Sequence, residues 1–237
     1  MATLVIEQPN YLPWTGYFDL MDQSDLWVWL DDVQYTRRDW RSRNKVAGAG
    51  GAPRWLTVPV RSRGRREQRL CDAEIDHEQD WVRKHLETLQ HCYRKAPHFE
   101  PVQALLTRHL EARPALLCGL TIPLCEDLAA LLGIETRFWR SSQLEVGGSK
   151  QDRLLEIHAA VGGEVYLSGP RAADYIQPAG FAAAGVELRY IEYRYGPYPR
   201  GGQGFVPGLS IVDALCWLGP EATRAHWRAV AGSRPAE

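Results

Sequence analysis

The sequence lacks most of the patterns that assign a chemistry at sight. Five cysteines (Cys71, Cys92, Cys118, Cys125, Cys216) are scattered through it, and no two sit at CxxC spacing, so neither a disulfide framework nor a zinc or redox motif is expected. Such thiols suit a reducing cytoplasm, as structural groups. No histidine pair has HxH or HxxxH spacing; His85 and His91 are six apart, and Glu74, Asp76 and His77 make only a loose cluster, so no metal site is expected. Neither a GxSxG elbow nor a Walker loop is present. The N-terminus "MATLVIEQ" has no basic start or long apolar stretch, and no apolar run approaches the roughly 18 residues that span a bilayer. Secretion and membrane insertion are therefore not expected. The net charge is -1, which leaves no global field to gather nucleic acid or an anionic membrane. No internal repeat is visible.

What is present is an ordinary globular composition, 45% hydrophobic and 24% charged over 237 residues, enough for a substantial core. A single domain covering 1–237 is expected, with a peripheral tail from about 223. "TLVIEQ" reads as a strand, "PNYLPW" as a stiff loop because prolines interrupt a strand, and a helix follows from about Gly16. "LWVWL" (26–30) is an apolar run that suits a strand buried on both faces. Strand, helix and apolar strand make a βαβ unit. Residues 54–60 read as another strand, entered from the Gly/Ala-rich turn 47–53. Helical periodicity then fills about 78–133, with Pro97, Pro101, Pro114 and Gly133 marking edges. Strands at 136–142, 164–169 and 185–195, a helix from Lys150, a Pro/Gly loop and a helix over 211–219 complete the pattern. The expected fold class is α/β, a Rossmann-like, mostly parallel sheet flanked by helices, with a helical segment in mid-chain. Ligands of such sheets bind at the carboxyl ends of the strands.

Three stretches carry candidate chemistry. The polar run 30–46 follows a strand with Asp31, Asp32, Gln34, Arg38, Arg43 and Asn44 interleaved with Tyr35 and Trp40, a mixture that can stack a planar group and fix a phosphate, or form a structural ion network. The loop after the first strand offers Tyr11, Trp14 and Tyr17. Its aromatics either plug the core or line a site where backbone amides face an anion. Further on, Lys150 and Arg153 share a helix face, which fits an anion site or an ordinary capped surface helix. Ser168 and Asp174 lie in a small-residue turn after a strand.

Taken together, "QPNYLPWTGYFDLM", "SDLWVWLDDVQYTRRDWRSRNKV", "WLTVPV", "KHLETLQHCYRKAPHF", "GGSKQDRLLEI", "YLSGP" and "GPYPRGGQGFVPGLSIVDALCWLGPEA" resemble the WbqC-like proteins, in family order from residue 5 to about 222. The resemblance implies a bacterial protein of surface-sugar or natural-product biosynthesis, and an acyl or aminoacyl transferase, with glycine transfer to an amino sugar suggested for members. Many members carry His before the Gln-Pro pair, where this chain has Glu7. For such a reaction the expected base is Glu7 or Asp32, with Gln8, Asn10 and loop amides near the carbonyl. Arg38, Arg43 and Lys150 are expected to hold donor phosphates, and Trp14, Tyr35 and Trp40 to stack. Tyr11, Tyr17, Asp31, Gln34, Asn44, Arg153, Ser168 and Asp174 complete the predicted binding set. The partner is a small-molecule substrate with an activated donor; a carrier or tRNA-borne donor is left open. The opening turn is also similar to that of HIGH-type nucleotidyltransferases, with Trp14, Gly16 and Tyr17 standing where that motif has His, Gly and His. Two rivals follow: ATP- and magnesium-dependent activation at that turn, and a non-catalytic subunit that presents a nucleotide sugar or a carrier-bound intermediate.

Overall fold

The computed structural model describes residues 1–48, 52–229 and 232–236. Its centre is a six-stranded sheet, built where β-branched and aromatic residues run without interruption. In chain order its strands are β1 (Thr3–Glu7), β2 (Leu26–Trp29), β5 (Arg137–Arg140), β6 (Val165–Ser168), β7 (Glu187–Ile191) and β8 (Ser233–Pro235). They lie side by side as β5-β2-β1-β6-β7-β8. The first five are parallel; β8 joins β7 antiparallel at the edge. Counting only the parallel strands, the order is 3-2-1-4-5, the Rossmann arrangement, and it reverses between β1 and β6.

Side chains alternate across this sheet and both faces are covered. Leu4, Ile6, Leu26, Val28, Tyr166 and Leu188 pack on one face with Leu154 and Ile157 of α5 (Lys150–Val161) and Phe181 of α6 (Pro178–Ala183). Val5, Trp27, Trp29, Leu167 and Ile191 face the other core. There they meet α1 (Thr15–Asp22), α2 (Trp81–Tyr93), α3 (Phe99–Glu111), α4 (Leu117–Leu131), α7 (Ile211–Leu218) and α8 (Pro220–Arg228). A buried strand needs apolar residues on both sides, which is why "LWVW" has no polar position.

Three local features add to this reading. The polar run 30–46 contains a strand, β3 (Arg43–Ala47), paired antiparallel with β4 (Pro53–Thr57) in a separate hairpin; polar residues of β3 alternate with buried Val46 and Asn44, so no apolar run betrays it. Part of the 47–53 turn, residues 49–51, lies outside the described residues. α4 begins at Leu117, just past Pro114, and carries Pro123 inside. At the C-terminal end, α8 buries Trp227 completely and turns Arg224 and Arg228 onto Asp22 of α1.

Candidate functional site

The reversal of strand order puts a crevice at the carboxyl ends of β1 and β6. β1 ends there in Glu7, partly buried. Burial pushes the Glu7 carboxyl up to about 7, against smaller lowering effects from the Arg41 charge and the Gln8 backbone amide. Four tyrosines feel this carboxylate: Tyr17, Tyr166, Tyr175 and Tyr193 are raised first by burial, and Glu7 adds to it. Their hydroxyls stay protonated at neutral pH and remain donors.

The loop beyond Glu7 is pinned from several directions. Tyr17 Oη donates to the Gln8 carbonyl at 2.8 Å, and Arg41 Nε donates to Gln8 Oε1 at 2.6 Å while its Nη1 pairs with Asp39 at 2.7 Å. The Tyr11 N–H donates to the Trp40 carbonyl, the Asn44 amide to the Leu12 carbonyl and the Ile211 N–H to the Pro13 carbonyl. These bonds hold Leu12 at a φ of 47°, a conformation unusual for a residue with a side chain. Trp14 packs edge-on against Tyr193, with centroids 4.8 Å apart, and against Tyr195 at 5.8 Å. Its indole lies across Gly16, where an added Cβ would sit 2.3 Å from the ring. Any larger residue there must push the indole aside.

This geometry corrects part of the sequence reading. Pro9 and Pro13 have no N–H, and that of Tyr11 is spent on Trp40, so these three positions of the turn give no amide to an anion. Tyr11 is fully buried, with its hydroxyl 2.9 Å from His85 Nδ1; it is a core plug. Tyr35 is buried and donates to Ser42 Oγ, Asn44 serves the Leu12 carbonyl, and Gln34 ties down the Arg66 carbonyl. Asn10 is half-buried; its carbonyl accepts from Cys125 and, among the described residues, its Oδ1 has no partner.

The second acidic group stands at the end of β2. Asp31, fully buried, accepts from Arg140 Nε at 2.7 Å, Ser142 N at 2.9 Å and Ser142 Oγ at 2.9 Å. Asp32 accepts from Ser141 Oγ at 2.6 Å and pairs with Arg153 of α5. The structure thus joins Asp32 to Arg153 in an ion network that fastens the ends of β2 and β5 to α5, and leaves neither carboxylate open as a base. Lys150 is exposed, as are Arg38 and Asp174, while Ser168 is buried at the end of β6.

Sequence reasoning misses Tyr166, Tyr175 and Tyr193, as well as Arg140 and the two serines after it, and it gives Arg41 no role of its own. Tyr166 and Tyr193 stand where "VYLS" and "IEYRY" read as strand, and strand aromatics look like core; Tyr175 follows the turn Pro170–Asp174 after β6. "RSS" directly after β5 is the available signal for the network, because β5 lies parallel beside β2.

All five cysteines are reduced, and burial is the first cause raising each thiol, which disfavours the nucleophilic thiolate. Among the described residues no group of three or more His, Cys, Asp or Glu side chains could hold a metal ion, and no helix is long and apolar enough to cross a membrane. A shallow cleft of about 410 Å³ lined by Asp22, Ser24, Asp25, Arg224 and Arg228 lies at the opposite end of the sheet, beside the start of β2, and its acid Asp22 is already claimed by arginines.

Comparison with known proteins agrees over nearly the whole length. No solved structure matches the chain. It is 35% identical over 224 residues to an uncharacterised protein of Mycobacterium tuberculosis, an alignment covering 94% of this chain and 96% of that one. A family model for the WbqC-like proteins matches residues 8–225, and the chain belongs to the WbqC-like protein family.

Proposed function

We propose that this protein is a transferase that moves an acyl or aminoacyl group from an activated ester or thioester onto an amine of an amino sugar or a related small metabolite. One observation carries the reading: a carboxylate at the strand-order reversal, Glu7, has its pKa raised to about 7. A general base works best when its pKa lies near the operating pH. The amine attacks the acyl carbonyl, a C–N bond forms, and Glu7 takes the proton that the nitrogen must lose. Collapse of the tetrahedral intermediate breaks the bond to the leaving oxygen or sulfur, and the carboxylic acid of Glu7 returns the proton to it. Charge developing on the carbonyl oxygen needs donors, and the protonated tyrosines near Glu7, together with Arg41, are the candidates. Gln8, held by Arg41, and Asn10, whose Oδ1 lacks a partner among the described residues, are proposed to contact the substrate, with Trp14 as a wall.

Asp32 is set aside as base because Arg153 and Ser141 already occupy it. The test is amide formation followed by mass spectrometry, with amino-sugar nucleotides as acceptors and aminoacyl or acyl thioesters and esters as donors, across pH 5.5 to 9. The rate should rise with pH to a plateau, with a midpoint near 7 set by Glu7, and Glu7→Gln should lower it roughly 10²- to 10⁴-fold. Full turnover in Glu7→Gln would sink the assignment. Release of pyrophosphate from ATP before any transfer would replace it with the activating-enzyme reading, which the strand order alone supports.

A further inference from the structure

The β3–β4 hairpin and its flanking loops carry a charge unlike the rest of the chain. From Tyr35 to Arg66 there are ten lysines and arginines against the single carboxylate of Asp39, whereas the remaining residues hold 18 basic groups against 28 acidic ones. Part of this charge is neutralised: Arg41 pairs with Asp39, Arg61 with Glu78 and Arg65 with Glu74. Among the described residues Arg37, Arg38, Arg43, Lys45 and Arg54 make no ion pair.

Two indoles lie among these cations. Trp55 is the register partner of Lys45, whose ammonium sits 4.9 Å from the ring, and the Arg43 guanidinium is 4.3 Å from it. Trp40 lies beside it, with centroids 5.5 Å apart and planes 33° from parallel. Both indoles remain 43% exposed. A cation over an indole can be purely structural, but that role does not account for two adjacent rings left open to water, nor for so large an excess of unpaired positive charge. The charges follow one hairpin and its loops, a layout suited to an extended phosphate backbone more than to one phosphate.

We infer that the outer face of the β3–β4 hairpin binds single-stranded nucleic acid, with bases stacked on Trp40 and Trp55 and phosphates against Arg38, Arg43 and Lys45. Its position has a use. The Trp40 carbonyl accepts from Tyr11 N–H and Arg41 reaches Gln8, so the platform is bonded to the loop that leads away from Glu7. A strand held here can end near that carboxylate and bring an aminoacyl ester of ribose to it; this link rests on the transfer reading, and the binding does not.

The test is fluorescence anisotropy of labelled 12-nucleotide single strands of RNA and of DNA, and of the matching duplexes, at 50 and 200 mM KCl. With three phosphate contacts, single-strand affinity should fall roughly 20-fold over that range. Trp55→Ala should weaken binding about tenfold or more, and duplexes, whose bases cannot stack on the indoles, should bind less tightly. A preference for RNA or for DNA identifies the natural source. The surface double variant Arg43→Gln/Lys45→Gln should lower the log–log salt slope by about 1.4 while keeping the wild-type melting temperature, which guards against a misfolded Trp55→Ala. Absence of binding at 50 mM KCl, or equal binding of duplex and single strand with no effect of Trp55→Ala, overturns the inference. Retained affinity in Glu7→Gln alongside lost turnover upholds both readings. Turnover of a nucleic-acid-free donor by a protein that binds no single strand overturns this one alone.

Discussion

Neighbouring strands of the sheet end in acids that meet opposite fates. The β1 end carries Glu7 and the β2 end Asp31 and Asp32, with Glu7 and Trp29 in register and the Leu30 N–H donating to the Glu7 carbonyl. Asp31 is fully buried yet fully served, by Arg140 and two serines. Glu7 is partly buried and, among the described residues, has no ion partner within bonding reach. Arginines and hydroxyls occupy the carboxylate oxygens at one strand end, and at the other burial without a bonded cation raises the Glu7 carboxyl. A carboxylate whose oxygens are already bonded has no face left for a substrate. One left short of partners is available for the work.

The most severe way to break this contrast is Arg140→Ala. It strips a buried carboxylate of its guanidinium and should cost about 3–5 kcal/mol, read as a lower urea midpoint with an unchanged slope. On the other side, Glu7→Gln should fold normally, keep its secondary structure and lose the roughly 10²- to 10⁴-fold of turnover assigned to the base. Equal damage to folding from both substitutions would erase the distinction between the two strand ends.

The pH dependence of stability sharpens it further. The native pKa of Glu7, about 7, lies above its ordinary 4.5, so between those values the native state holds a proton that the unfolded chain has released. Stability from this group is therefore full below pH 4.5 and falls as pH rises through 7, by at most about 3 kcal/mol. Buried His85 works the other way: burial lowers it from 6.5 to about 4, so its contribution is lost as pH falls through that window. Urea titrations at pH 5, 6, 7 and 8 should find Glu7→Gln more stable than the parent at pH 8, and more acid-sensitive because the stabilisation that Glu7 gains toward acid no longer offsets the His85 slope. The smallest effect is expected from Gly16→Ala. The new methyl group must displace the Trp14 indole, costing about 1–3 kcal/mol and disturbing the Trp14–Tyr193 edge contact, which indole fluorescence would report.

How much of this was legible depends on what each segment buries. β1, β2 and the helices α2 and α3 announce themselves because periodic apolar residues meet a core. β3 does not, since Arg43 and Lys45 face outward and the buried Asn44 is there to hold the Leu12 carbonyl rather than to fill space. Glu7 drew attention through the resemblance, as the residue standing where many members carry His, while topology pointed only to the strand end that precedes the proline turn. The partners of Asp31 and Asp32 were not, since Arg140 and Arg153 lie 109 and 121 residues away and only folding brings them together. Tyr166 and Tyr193 were hidden for a similar reason: an aromatic in or just past a strand looks alike whether it packs or flanks a carboxylate.

The pairing of β1 with β6 joins Thr3 to Val165, which gives the fold a history as well as a shape. The first strand made on the ribosome must wait for a neighbour completed some 160 residues later, roughly 8 to 32 s at ordinary synthesis rates. The proline turn waits longer still, because the Ile211 N–H that closes on Pro13 belongs to the last quarter of the chain. Contacts so distant in sequence form slowly, and the turn behind Glu7 is among the last parts to be completed. Nascent and C-terminally truncated chains should therefore have a sheet edge but no working crevice.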